Sequence, residues 1–210
     1  MFKKISATIL FLGLLTSQAY ASNFDGAYIG GAVGYGSDRY NMTDTGLGSL
    51  AGISLTDDMG SQGAMGEVFA GYGKKFGNLY AGLEANANLS DREANLTLVD
   101  GASSVTSNLT HKYDYGFAFR GGVFPADNTL LYGKIGATWG MFEDKAVNTS
   151  QTLTGLQVGL GVETALNSVL TVRADWTYVD YKTATYTDAF QTGSASPTSN
   201  VFMVGLAYNF

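Results

Sequence analysis

The chain has 210 residues, with 28 Gly, 13 Tyr and 12 Phe against 2 Pro and no Cys. Its formal net charge of −6 speaks against nucleic acid, whose recognition needs a basic surface. The missing cysteines exclude a disulfide framework and a thiol for lipid attachment. In chain order, Lys3 and Lys4 precede the apolar run Ile9 to Leu15, and Ala19-Tyr20-Ala21 offers small residues to a peptidase. Residues 1–21 therefore read as a secretory signal, removed to leave a single domain of residues 22–210. The run is too short and interrupted for a spanning helix, which needs about 20 apolar residues, and no second such run follows.

Strands come next, each of about the length that crosses a bilayer on a tilted path, roughly 9 to 11 residues. They are expected at Gly26 to Ser37, Ala64 to Lys75, Leu79 to Ser90, Lys112 to Phe124, Leu130 to Met141, Leu153 to Leu166, Val169 to Tyr181 and Thr198 to Phe210. Long polar stretches follow the first, third, fifth and seventh, whereas Gly77-Asn78, Pro125 to Thr129 and Asn167-Ser168 make short turns after the others. In lipid every backbone polar group must be paired internally, so a chain without spanning helices crosses only as a closed sheet. The expected fold is all-β, an eight-stranded antiparallel transmembrane up-and-down β-barrel, with turns periplasmic and long loops outside.

Alternation tells the two faces apart. In the terminal strand Phe202, Val204, Leu206, Tyr208 and Phe210 share one apolar face with aromatics at both ends. Leu79, Ala81, Leu83, Ala85, Ala87 and Leu89 oppose Tyr80, Glu84, Asn86 and Asn88, and Leu156, Val158, Leu160 and Val162 oppose Gln157 and Glu163. Leu170, Val172, Ala174 and Trp176 oppose Thr171, Arg173 and Asp175, while Glu67, Arg120 and Lys134 fall on polar faces. A charge facing lipid at midplane costs about 2 to 4 kcal/mol for Arg or Lys, so these residues belong inside. A soluble lipocalin-like barrel would have the opposite polarity. Since eight strands leave room only for side chains, Glu67, Glu84, Arg120, Lys134, Glu163, Arg173 and Asp175 are expected to form a paired network closing the lumen. A narrow charged pore is the alternative.

The segments NFDGAYIGGAVGYG, AGYGKKFGNLYAGLEANANLS, GLGVETALNSVLTVRADWTYVDY and VGLAYNF together resemble the small eight-stranded outer-membrane β-barrels of the porin-family or opacity-protein-like surface antigens. The likeness spans nearly all of residues 22–210, in order; Phe24 and Thr164 stand where that family often has Trp and Tyr. The resemblance implies a Gram-negative outer membrane, termini in the periplasm, and a structural or surface-antigen role, with adhesin and weak pore as further family roles. The chain ends at the last expected strand, so the periplasmic peptidoglycan-binding domain that some relatives append is not expected. The resemblance also implies that Leu206, Tyr208 and Phe210 form the signal read by the outer-membrane assembly machinery. No cofactor or metal is expected, and the barrel is read as a monomer among outer-membrane lipids.

Any recognition is expected in the long stretches Arg39 to Gln62, Asp91 to Thr110 and Lys182 to Pro197. Tyr186 and Phe190 are the candidate aromatic anchors for a host or cell-surface ligand, and Asp57 and Asp58 the acidic candidates, two carboxylates being too few for a divalent-cation shell. His111, the single histidine, lies just outside the expected fourth strand with Ser107, Thr110 and Asp114 near it. Sequence proximity does not make a catalytic triad, and no enzymatic activity is expected. Gly66 and Gly71 open the spacing of a phosphate loop, but the Lys-Ser or Lys-Thr pair that must follow is missing.

Overall fold

The computed structural model describes residues 24–46, 54–100, 103–144, 149–187 and 191–210, by backbone alone at the far ends of several strands. Nine strands lie among them: β1 (Gly26–Gly46), β2 (Ser54–Phe76), β3 (Leu79–Asp100), β4 (Ser103–Ala126), β5 (Thr129–Asp144), β6 (Thr149–Ala165), β7 (Leu170–Tyr181), β8 (Ala184–Thr187) and β9 (Gln191–Asn209). Each pairs antiparallel with its neighbour in the order β1-β2-β3-β4-β5-β6-β7-β9, and β1 pairs with β9 to close an eight-stranded barrel. The short β8 continues from β7 and pairs with the first part of β9. Around the closed wall every strand is paired on both sides, the condition lipid imposes.

The strands outrun the expected bounds. β1 and β2 stay paired out to Thr45 and Ser54, and β3 and β4 out to Asp100 and Ser103, so most of the stretches read as loops are hairpin ladder. The expected bounds took their length from the thickness of hydrocarbon, and that thickness sets only a minimum. Beyond it, Thr- and Ser-rich segments go on pairing in water, since β-branched side chains suit the pleat.

At the other end the connections are short. Gly77 adopts φ 63°, a conformation open to glycine, in the turn from β2 to β3. The Asn167 side-chain oxygen accepts the backbone N–H groups of Val169 and Leu170 at 3.0 and 2.9 Å, folding the turn from β6 to β7.

The wall alternates as its polarity requires. Ile29, Val33, Val68, Leu83, Phe117, Ile135, Leu160, Phe202 and Val204 point outward, and the barrel exterior is a band of such side chains. Tyr35, Tyr115, Trp139 and Phe202 stand outside toward the hairpin end, with Tyr115 and Trp139 stacked at 5.7 Å, and Tyr72, Phe76, Tyr208 and Phe210 toward the turn end. Within this band a charge has no partner and no water. Val204→Arg, set between Val33 and Ala174, is therefore expected to lower stability by about 2 to 4 kcal/mol, read from urea unfolding in lipid vesicles. A shift below about 0.5 kcal/mol, the size expected of an ordinary surface substitution, would place Val204 outside the hydrocarbon.

One irregularity changes which residues face the lumen. Between β4 and β5, Phe142 pairs with His111 and Met141 with Tyr113, leaving Lys112 as an extra residue in β4. Lys112 is exposed and pairs with Glu143 on the outside, while His111 and Asp114, three apart, both turn inward. A β-bulge does this by letting two residues of one strand oppose one of the other. Strict alternation from Tyr113 would have placed His111 outside.

A layered lumen as the candidate functional site

The interior is filled in layers from the turn end upward. Phe24, Tyr80, Phe124, Leu130 and Tyr132 form an apolar floor, with Phe24 packed edge-on against Phe124 at 5.0 Å. Above it lies an ionic layer centred on Glu84. Its Oε2 takes hydrogen bonds from Arg173 at 2.6 Å, Arg120 at 3.1 Å and the Tyr28 hydroxyl at 2.9 Å. Arg173 reaches across to Glu67 at 2.7 Å, and Arg120 to Glu163 at 2.6 Å. Lys134 pairs with Asp175 at 2.6 Å, and Thr171 donates to Glu163 at 2.6 Å. These side chains come from β1 through β7, and all are buried.

Glycines facing inward make the space. A Cβ at Gly71 would strike the ring and hydroxyl of Tyr28, and one at Gly161 those of Tyr132. The two guanidinium groups also lie on rings, Arg173 at 3.4 Å from the Phe69 centroid and Arg120 at 3.9 Å from that of Tyr132. Such faces favour a cation that has lost its water. The layer thus meets the condition under which buried charges persist, pairing with most hydrogen bonds satisfied.

Above this layer Glu67, Asn88, Asp114, Lys134, Thr138, Gln157 and Thr177 line a cavity of about 20 Å³ open to the centre of a water, room for one or two. The Asn88 amide donates to Asp114 at 2.5 Å. A second ionic layer closes the cavity at the hairpin end. Asp38 accepts from Arg92 at 2.5 Å, from Ser199 at 2.7 Å and from Ser61 at 3.0 Å, and Ser199 also accepts from Arg92 at 2.8 Å. The second guanidinium nitrogen of Arg92 lies 2.8 Å from His111 Nδ1. Tyr40, Phe142, Val179 and Tyr181 cap it, with His111 stacked on Phe142 at 4.3 Å.

The structure thus brings Glu67, Glu84, Arg120, Lys134, Glu163, Arg173 and Asp175 into one buried layer. Leu206, Tyr208 and Phe210 share the outer face of the closing strand and its end, Tyr208 edge-on to Phe210 at 5.1 Å. Asp57 and Asp58 fall on β2 and Tyr186 on β8, their side chains outside the described residues, as is all of Phe190.

Two placements correct the sequence reading. His111 is not a loop residue outside the fourth strand but a fully buried one within β4, and Arg92, read into a loop, is a fully buried residue of β3. The cause is the continued ladder together with the Lys112 bulge. Asp38, one residue past the expected end of the first strand, was missed with them; its even number, shared with the inward Tyr28 and Ala32, was the signal. The surroundings of His111 are not those of a base beside a nucleophile: Arg92 lies against Nδ1, and Nε2 faces Asp114 at 3.5 Å.

An apolar exterior closed around a charged, filled interior defines an integral outer-membrane barrel. The chain belongs to the outer membrane protein beta-barrel domain family, whose model matches residues 7–210. It is 30% identical over 169 residues to the 22 kDa outer membrane protein of Rhizobium leguminosarum bv. viciae, covering 79% of this chain and 68% of that one. Among solved structures it is similar to the outer membrane protein OprG from Pseudomonas aeruginosa, with a TM-score of 0.62 at 13% identity, over 89% of this chain and 97% of that one. The second likeness carries the fold alone.

Proposed function

We propose that the protein is a structural and surface-exposed component of the outer membrane whose lumen does not conduct, with its hairpins outside the cell and its short turns in the periplasm. The observation that carries this is the convergence of Arg120 and Arg173 on Glu84 across the barrel, tied by Glu67 and Glu163 to further strands. An ion passing here would have to separate pairs made at 2.6 to 3.1 Å between side chains buried from bulk solvent, and breaking one such pair costs about 3 to 5 kcal/mol. The surroundings of His111 favour a non-enzymatic role, and Leu206, Tyr208 and Phe210 fit the assembly signal that the family resemblance implies.

The test is conductance in planar bilayers. Purified barrel is expected to give no steady channel at either polarity, while Arg120→Ala combined with Arg173→Ala, if it inserts, gives current from the opened layer. Steady channels from the unaltered protein, with an ion preference that changes in Glu84→Gln, would replace this reading with a narrow pore.

A further inference from the structure

We propose that the hairpin end carries a docking slot between β2 and β3, which takes an extended, Lys- or Arg-rich segment of another protein as an added β-strand. The slot lies beyond the closed wall and is independent of whether the lumen conducts.

The ladders of the first two hairpins do not meet along their whole length. β1 and β2 stay paired out to Thr45 with Ser54, and β3 and β4 out to Asp100 with Ser103. Between β2 and β3, however, pairing runs only from Phe76 with Leu79 to Met65 with Ser90. Among the described residues, β2 from Ser54 to Ala64 and β3 from Arg92 to Asp100 therefore have a partner strand on one side alone. A strand paired on one side presents a row of unmade N–H and C=O groups, which is the template an incoming strand needs. The split opens at Ala64, which pairs with Tyr35 of the outer aromatic ring. The free edges thus begin where hydrocarbon ends, and water accepts them where lipid would not.

Both edges carry one sign of charge. The stretch from Ser54 to Ala64 contains Asp57 and Asp58 and no base, and the stretch from Asp91 to Asp100 contains Asp91, Glu93 and Asp100. Arg92, the single base of the two stretches, is fully buried and held by Asp38 inside the barrel. Like charges facing each other across a ladder are destabilising. A second copy of this chain is therefore a poor occupant, since each edge would meet another acidic edge. The complementary occupant is cationic, and the chain's net charge of −6 draws it in from a distance. Backbone hydrogen bonds along the edge supply affinity, and Lys or Arg at alternate positions supplies selectivity.

The test uses the full-length barrel in lipid nanodiscs and a synthetic peptide of about ten residues, the length of a long strand, alternating lysine with valine. One control peptide has the same sequence with every backbone nitrogen methylated, which keeps the charge and removes the donors. The other alternates glutamate with valine. Amide hydrogen exchange read by mass spectrometry locates the contact, and the heat-modifiable gel shift confirms that each barrel variant is folded.

The lysine peptide is expected to slow exchange in residues 54–64 and 91–100, and the glutamate peptide to leave it unchanged. Methylation of the peptide backbone weakens binding about tenfold or more, and Asp57→Asn with Asp58→Asn weakens it about threefold or more. Equal binding by the methylated peptide overturns the slot, because the contact is then charge alone with no added strand. Exchange that slows elsewhere, or nowhere, overturns it as well. So does a peptide-free barrel that dimerises through these amides, which would give the slot to a second copy. An Asp57→Asn/Asp58→Asn barrel that self-associates yet binds the peptide as the parent does would show that the carboxylates only guard the edge, and this too overturns the proposal.

Discussion

Arg173→Met is expected to destabilise the folded barrel by about 3 to 5 kcal/mol, enough to lose most of the population that runs as the compact, heat-modifiable form on a gel. Arg173 gives one nitrogen to Glu84 at 2.6 Å and another to Glu67 at 2.7 Å, while its Nε lies 3.4 Å from Asp175. Removing it strands the carboxylates of Glu84 and Glu67, both buried from bulk solvent, and breaking a buried pair costs far more than the pair contributes by being there. The cost should therefore shrink when the stranded groups are removed as well. Arg173→Met with Glu67→Gln and Glu84→Gln is expected to recover a large part of the loss, although Arg120 then lacks one of its carboxylates. Arg173→Lys should fall between, because one ammonium lacks the fork that spans two carboxylates. Urea unfolding in lipid vesicles gives these values, and an Arg173→Met barrel with an unchanged midpoint would mean that the layer is wet.

Gly136→Ala is expected to cost about 3 kcal/mol and to reduce folding yield sharply, although it adds one methyl group. The new Cβ would meet the carbonyl oxygen of Phe117, with Ala118 Cα at 2.6 Å. These are backbone atoms of the paired strand, so relief requires β4 and β5 to part where Phe117 pairs with Ala137 and Ala118 with Gly136. Overpacking costs are usually about 1 to 3 kcal/mol, and a rigid neighbour puts this one at the upper end. Gly66→Ala is the matched comparison, since a Cβ there meets nothing within 4 Å. It should remain within about 0.5 kcal/mol of the parent. Equal effects from the two substitutions would show that chain flexibility, and not space, is what these glycines supply.

Much of the wall was legible before any coordinates. Leu79 to Leu89 alternate with Tyr80, Glu84 and Asn88 because lipid and a packed lumen impose opposite demands on successive residues, and the structure keeps that division. The pairing of Leu170, Val172 and Trp176 with Tyr208, Leu206 and Phe202 follows from the same demand. What escaped was whatever lipid does not govern. No apolar pattern marks where β1 ends, since beyond Tyr35 its outward residues Ser37, Arg39 and Asn41 are polar and exposed like those of a loop. Asp38 was lost with that boundary. His111 was hidden for a second reason: a bulge shifts parity through one unpaired residue, and Lys112 looks no different from any other lysine. The particular partners, Arg173 with Glu67 and Arg120 with Glu163, depend on the curvature that brings distant strands together across the lumen, which alternation along a single strand does not encode.

In the proposed orientation, with the hairpins outside the cell, the long ladders also decide what an antibody meets. A peptide copied from residues 37–41 offers all five side chains, whereas the folded surface offers Ser37, Arg39 and Asn41 and withholds Asp38 and Tyr40 inside the barrel. Beside Arg39 the epitope continues sideways, to Gly60 on one strand and Thr198 on the other. Immunity raised by a linear fragment and immunity raised by the intact barrel would therefore read different letters of the same stretch.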